Sequence, residues 1–272
     1  MSKTLDQLSR LLKLSPTRDN NFVGQSQDLG FSALFGGQVM GQALSAALET
    51  IGLDQYTHSL HAYFLRAGDA SQSVTYNVEN IRDGKSFSTR RVQAMQNDNV
   101  IFYMTASFQL AEEGLEHQDK MPDVAGPENI PSAQDFILAN QQYIPEGVRN
   151  IFIAEKPIEI RPVKQYNWLS PQKMPAKNYL WIKTNGVLPD DLRIHTCLLA
   201  YASDFNFLPT ALMPHGVSYW QPNMQVATID HAMWFHRPFR FDDWLLYVTE
   251  SPTASGGRGL VRGQIFNRQG EL

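Results

Sequence analysis

One ungapped offset constrains this sequence more than any other feature. Shifted by 171 residues, the chain matches itself. Thr57 falls on Thr228, Phe64 on Phe235, Arg66 on Arg237, Tyr76 on Tyr247, Glu79 on Glu250, Arg91 on Arg262 and Gln93 on Gln264. Seven identities in the 37 columns from 57 to 93, at one offset and without gaps, mark two copies of one structural unit. The boundaries this implies are a first unit over 1–111, a connector over 112–150 punctuated by Pro122, Pro127, Pro131 and Pro145, and a second unit over 151–272.

Local patterns agree between the copies. Gly36-Gly37 leads into Val39, Met40, Ala43, Leu44, Ala47, Leu48 and Ile51, apolar around most of a helix, so that helix is expected to be buried. In the second copy Pro189-Asp190-Asp191 reads as a helix start, followed by Ile194, Cys197, Leu198, Leu199 and Tyr201 at helical spacing. Strands follow each helix. Val74, Tyr76 and Val78 alternate with polar residues, as do Phe102, Met104, Ala106 and Phe108, and Trp244, Leu246 and Val248 are read as a strand of the same period. Asn97-Asp98-Asn99 and Gln269-Gly270 are turn signals. Leu5, Leu8, Leu11, Leu12 and Leu14 predict a short amphipathic helix at the N-terminus, and Ala133–Gln142 a short helix in the connector. The fold class expected is α+β: one buried helix wrapped by an antiparallel sheet, twice, with the two sheets joined edge to edge or the helices packed together.

The repeat also bears on the C-terminus. In the first copy a strand from Val100 to Gln109 follows the turn, and at the same offset Leu272 corresponds to Ile101. The second copy is therefore expected to enter its last strand by only two residues, the rest lying outside this sequence. The offset also puts Asp204 on Ala33, which predicts that the first copy lacks the second copy's carboxylate.

Composition narrows the function. A single cysteine excludes a disulfide framework and a multi-cysteine zinc site. A net charge of −4 lacks the basic excess of a nucleic-acid binder, and 43% hydrophobic residues exclude wholesale disorder. Neither a signal peptide nor a run long enough to span a membrane is evident, so a cytoplasmic location is expected. Gly84-Lys85-Ser86 lacks the preceding glycine of a phosphate-binding loop, since Glu79 stands there, and Gly256-Gly257-Arg258-Gly259 lacks the dinucleotide spacing; both read as hairpins. His58 with His61, and His231 with His236, are odd-spaced on predicted strands and cannot chelate a metal from one face, so neither metal nor cofactor is expected. Without a Gly-x-Ser-x-Gly elbow, and with Cys197 inside an apolar helical run, no nucleophile presents itself. Asp204 stands between an apolar helix and Phe205, Phe207 and Leu208, where a carboxylate is either a cap or turn residue or tuned for chemistry.

Four segments carry a resemblance: Phe35–Ala43 (FGGQVMGQA), His61–Asp69 (HAYFLRAGD), Ser203–Pro209 (SDFNFLP) and Thr228–Phe239 (TIDHAMWFHRPF). In this order they resemble the type II acyl-CoA thioesterases, a double-hotdog family, with likeness from Leu5 to the end. The resemblance implies hydrolysis of fatty acyl-CoA to free acid and CoA by a water held among Asp, Thr and Gln. The Asp falls on Asp204 and the Thr on Thr228, while the Gln lies beyond Leu272. Ala67 stands where members often carry Pro. His58 is a further candidate for substrate contact, and Arg91, Arg258 and Arg262 are candidate cations for CoA phosphates. A homo-oligomer, dimer or tetramer, is expected. Two alternatives stay open: another acyl-thioester reaction on this fold, such as enoyl-CoA hydration, and a catalytically impaired acyl-CoA-binding module. Hydration calls for an Asp–His pair, and Asp204 has no histidine near it in sequence.

Overall fold

The computed structural model describes residues 2–30 and 33–272. The first unit runs α1 (Lys3–Leu12), β1 (Ser15–Pro16), β2 (Asn21–Gly24), α2 (Gly36–Leu48), β3 (Gln55–Phe64), β4 (Val74–Asp83), β5 (Phe87–Gln96) and β6 (Asn99–Leu110). After the connector helices α3 (Ala133–Ala139) and α4 (Glu146–Ile153), the second runs β7 (Ile158–Pro162), β8 (Lys177–Thr184), α5 (Leu192–Ser203), α6 (Phe207–Leu212), β9 (Asp230–Trp234), β10 (Leu245–Ser255) and β11 (Arg258–Phe266). All strand pairs are antiparallel, in a seven-stranded sheet ordered β1-β2-β4-β5-β6-β3-β9 and a four-stranded sheet ordered β11-β10-β8-β7. The architecture is the expected double hotdog, and both expected modes of union occur. The units share a sheet through β3 and β9, and α2 packs on α5.

Sequence dictates these elements locally. Ser2 caps α1 by accepting from the Leu5 amide, and Leu5, Leu8 and Leu12 turn inward. Asp191 caps α5 by accepting from Arg193. Asn97 and Asp98 both adopt positive φ, 47° and 59°, the twist a tight β5–β6 hairpin needs. Gly256 and Gly257 do the same between β10 and β11 at 58° and 71°. The core forms around α2, buried on nearly every side, beneath the inward faces of β4 and β6. Its one polar knot is satisfied. Gln42 donates to the carbonyls of Leu11 and Gln25 and accepts the Tyr76 hydroxyl at 2.6 Å, joining α1, the β2 exit, α2 and β4.

Three expectations need correction. Trp244, Leu246 and Val248 predict a strand with one buried face, but both faces of that segment are buried. These residues turn outward into a second cluster with Trp181 and Phe266, covered by Met121, Val124 and Ile130 of the connector. Leu245 and Tyr247 take the helix side, so β10 is buried on both faces over 245–249 and alternation alone could not say which face meets α5. The last residues do not begin a strand. Asn267 ties the 267–271 turn, and Leu272 is held by Gln118 and Arg237. Whereas β6 lies between β5 and β3, among the described residues no strand lies between β11 and β9, and a cavity of about 760 Å³ separates them.

The third correction concerns Asp204. The helices end at Leu48 and Ser203, so the counterpart of Asp204 is Glu49, not Ala33; each is the C-cap of its helix. Six residues, 49–54, link α2 to β3, but 26, 204–229, link α5 to β9. That insertion, which holds α6, breaks the offset of 171 ahead of the strands.

α2 and α5 meet through glycine. A β-carbon at Gly37 would collide with the Tyr201 carbonyl oxygen, and one at Gly41 would stand 3.0 Å from the Cys197 carbonyl oxygen. Gly37→Ala is therefore expected to destabilise the fold by about 1–3 kcal/mol through overpacking. Gly147→Ala, in open space on α4, should change stability by no more than about 1 kcal/mol, in the favourable direction. Urea unfolding of the two variants checks the contrast.

Candidate active site

α2 begins without a side-chain cap, because Phe35 stands at its N-cap position and offers no acceptor. Its first amides must find partners elsewhere. The partner comes from the other unit. Asp204 Oδ2 accepts the Gly37 amide at 3.0 Å across 167 residues of sequence. A β-carbon at Gly36 would lie 2.8 Å from that same oxygen, so only glycine gives the carboxylate this seat. Asp204 Oδ1 accepts the Thr228 hydroxyl, also at 3.0 Å. The structure thus brings Asp204 and Thr228 together, although Thr228 lies just before β9 rather than on it.

The peptide carrying Asp204 is fixed from several sides. The Tyr247 hydroxyl donates to the Ser203 carbonyl at 2.9 Å. The Ser203 hydroxyl lies 3.0 Å from His231 Nε2. Asn206, at φ 61°, turns the chain sharply into α6. Phe35, Tyr201 and Phe205 wall the site, with ring centroids 4.5–5.5 Å apart. Burial in this aromatic setting raises the Asp204 carboxyl above the usual carboxylate range. The nearby His231, the Thr228 hydroxyl and the Gly37 amide oppose the rise. Burial also lowers His231, against the pull of Asp204 and Asp230. The histidine neighbour that Asp204 lacks in sequence is therefore supplied by the fold.

The other candidates separate. His58 Nε2 bonds Ser107 Oγ at 2.8 Å and the ring abuts Phe87, while its carbonyl accepts the Phe235 amide across the β3–β9 seam. Its side chain has no hydrogen bond to Asp204 or Thr228, and partial burial lowers its basicity. Arg91 is paired with Glu79, and Arg258 and Arg262 are exposed on β11. Cys197 is buried and its thiol is pushed up to about 12, so it stays protonated. Thr57, the repeat partner of Thr228, has a buried hydroxyl with no hydrogen-bond partner among the described residues, and Glu49 is exposed. Sequence reasoning missed Gly36-Gly37 as the carboxylate's seat. The available signal was a helix start with no Ser, Thr, Asp or Asn before it.

Comparison with known proteins decides the family. The acyl-CoA thioesterase N-terminal domain signature matches residues 25–109, and the acyl-CoA thioesterase signature matches residues 148–272. Acyl-CoA thioesterase 2 of Haemophilus influenzae is 48% identical over 272 residues, covering all of this chain and 95% of that one. The chain belongs to the acyl-CoA thioesterase family. Its chemistry is that of the family, hydrolysis of acyl-CoA thioesters. The crystal structure of an acyl-CoA thioesterase II from Mycobacterium marinum superposes with a TM-score of 0.79 at 38% identity, over 97% of this chain and 93% of that one. A hot dog fold protein of Alicyclobacillus acidocaldarius, 20% identical, shares the fold at a TM-score of 0.77 over 98% of this chain and 94% of its own. In this thioesterase the Asp204 carboxylate, set between the units, stands at the N-terminal end of α2.

A raised carboxyl binds its proton more tightly folded than unfolded. Stability therefore falls as pH rises from the unfolded value of about 3.9 through the folded one, and above that window the charged Asp204 is a standing cost. Asp204→Asn is expected to keep the Gly37 contact and to melt at or above the wild-type temperature at pH 7–8. The difference should close below about pH 4. Thermal melts across pH check this.

Proposed function

We propose that this thioesterase hydrolyses fatty acyl-CoA by direct attack of a water that Asp204 deprotonates and Thr228 orients, yielding free acid and CoA. The observation carrying this reading is the partly buried Asp204 carboxylate, with Thr228 on one oxygen and the Gly37 amide on the other. An ionised carboxylate has about four lone-pair sites. The two protein donors fill two of them, which leaves acceptor capacity for water. Because Thr228 gives its proton to Asp204, its oxygen faces the water as an acceptor and fixes the second water hydrogen. The water oxygen bonds to the thioester carbonyl carbon as its proton passes to Asp204. Collapse of the tetrahedral species breaks the C–S bond, and the CoA sulfur leaves with the proton. The positive end of α2 favours negative charge at this point. No covalent intermediate is required, consistent with the buried Cys197 thiol and with a Ser203 hydroxyl already engaged by Ala200 and His231.

The acyl chain is assigned to a cavity of about 890 Å³ whose lining includes Tyr201 and Phe205, on either side of Asp204, together with Leu8, Leu29, Ile137 and Ile151. Pockets of roughly this size suit ligands with long apolar parts. We also assign the protein to the cytoplasm, as a homo-oligomer. Among the described residues no helix is long and apolar enough to cross a membrane. Tyr63, Leu65 and Trp234 leave exposed apolar surface at the β3–β9 seam, where a second copy can pack. Release of free thiol reads the hydrolysis directly, because hydration would leave the thioester intact.

Asp204→Asn is expected to lower kcat for thiol release by about 10²–10⁴. Thr228→Val, losing a charge-assisted hydrogen bond worth about 1.5–3 kcal/mol, should lose about 10- to 100-fold. Full thiol release by Asp204→Asn would overturn the assignment. Ile151→Trp should raise KM for long acyl chains more than for short ones, as read from an acyl-length series.

A further inference from the structure

His231 is buried on the inward face of β9, at 5% exposure, and the mechanism above leaves it idle. Its hydrogen bonding fixes its tautomer. Ser203 has one hydroxyl proton, which it donates to the Ala200 carbonyl at 2.9 Å. With that proton committed to Ala200, Ser203 Oγ accepts from His231 Nε2, 3.0 Å away, which assigns the ring proton to Nε2. Nδ1 is left with its lone pair, buried and without a hydrogen-bond partner among the described residues. A buried base with an unused lone pair is costly unless something uses it. Ser203 directly precedes Asp204, so the hydrogen bond that fixes the ring also anchors it beside the carboxylate.

We propose that His231 is a positioning residue acting through Asp204: it takes the proton that would otherwise quench the carboxylate, and so keeps Asp204 ionised as the medium turns acidic. The proposal rests on the reading of Asp204 as the base. In a water-poor site, one proton added to the pair goes either to the carboxylate, which stops catalysis, or to Nδ1, which leaves a carboxylate beside an imidazolium. Each group's charge favours the other's, His231 holding Asp204 down and Asp204 holding His231 up. Burial disfavours both charges, and the second outcome rests on the attraction between the two groups, to which Asp230 adds. From α5 the facing charge is Asp204 itself, and from β9 it is Asp230, whose charge also favours the imidazolium. From β10 comes Tyr247, whose phenol burial holds neutral. α6 presents the Phe207 ring at 5.4 Å, β3 pairs Ala62 with His231, and the shared cavity carries Lys177, Arg237 and Arg262 as cations and Asp119, Glu250 and Glu271 as further carboxylates.

His231→Gln keeps an amide able to donate to Ser203 Oγ but holds no proton. The test is the pH profile of kcat/KM for thiol release by the full chain. At pH 8 the variant is expected within about threefold of wild type. Its acid limb should move to higher pH by about one unit, a tenfold deficit on that limb. An unmoved limb, whether activity is unchanged or uniformly lowered, overturns the proposal. Should the variant not fold, labelled-histidine NMR of wild type and Asp204→Asn gives the same answer. The His231 ring should titrate at lower pH once the carboxylate is removed, and an unshifted ring overturns the proposal. Asp204→Asn with full activity would instead sink the base assignment, while the NMR comparison still reports on the coupling.

Discussion

The structure depends on how closely two helices approach. Gly37 and Gly41 strip α2 of side chains where α5 crosses it, so the backbones meet directly at the Tyr201 and Cys197 carbonyls. That contact fixes one helix end against another. The C-cap of α5 arrives at the N-terminus of α2, and Asp204 there becomes the acceptor that α2 does not supply for itself. A side chain on either glycine would separate the helices and pull the carboxylate from the amide. Fold and site therefore rest on the same packing.

The carboxylate is held at a cost. Burial among Phe35, Tyr201 and Phe205 disfavours its charge, and the Gly37 amide, the Thr228 hydroxyl and His231 only partly offset this. A weakly solvated carboxylate is a stronger base than one in water, which is what proton abstraction from water needs. The first unit has the same parts in another arrangement. Glu49 occupies the helix C-cap but is exposed, and Thr57 is buried with its hydroxyl unpaired among the described residues. α5, for its part, is capped by its own Asp191 and leaves no vacancy for a carboxylate from the first unit. The halves differ because one helix caps itself and the other does not.

Much of the fold was legible in the chain. The apolar residues of α2, the Asn97-Asp98 turn, the glycine hairpin at 256–257 and the alternation in β4 and β6 are local signals, each obeying short-range sterics or periodicity. The failures had physical causes. β10 is buried on both faces over 245–249, so its pattern did not disclose which face meets α5. The α6 insertion shifted the helix register against the strand register, so the repeat paired Asp204 with the wrong residue. The tautomer of His231 depends on which way the Ser203 hydroxyl points, and no sequence pattern records that.

The sequence by itself determined the duplication, the helix-and-sheet content of each copy and the residue types able to do acid–base chemistry. These follow from identities at a fixed spacing and from periodicities a few residues long. Tertiary structure alone decided that Asp204 meets Gly37, Thr228 and His231. Those contacts span 24 to 167 residues of chain; they exist because two glycines let two backbones touch, and close approach between distant segments leaves no local signature in the order of amino acids.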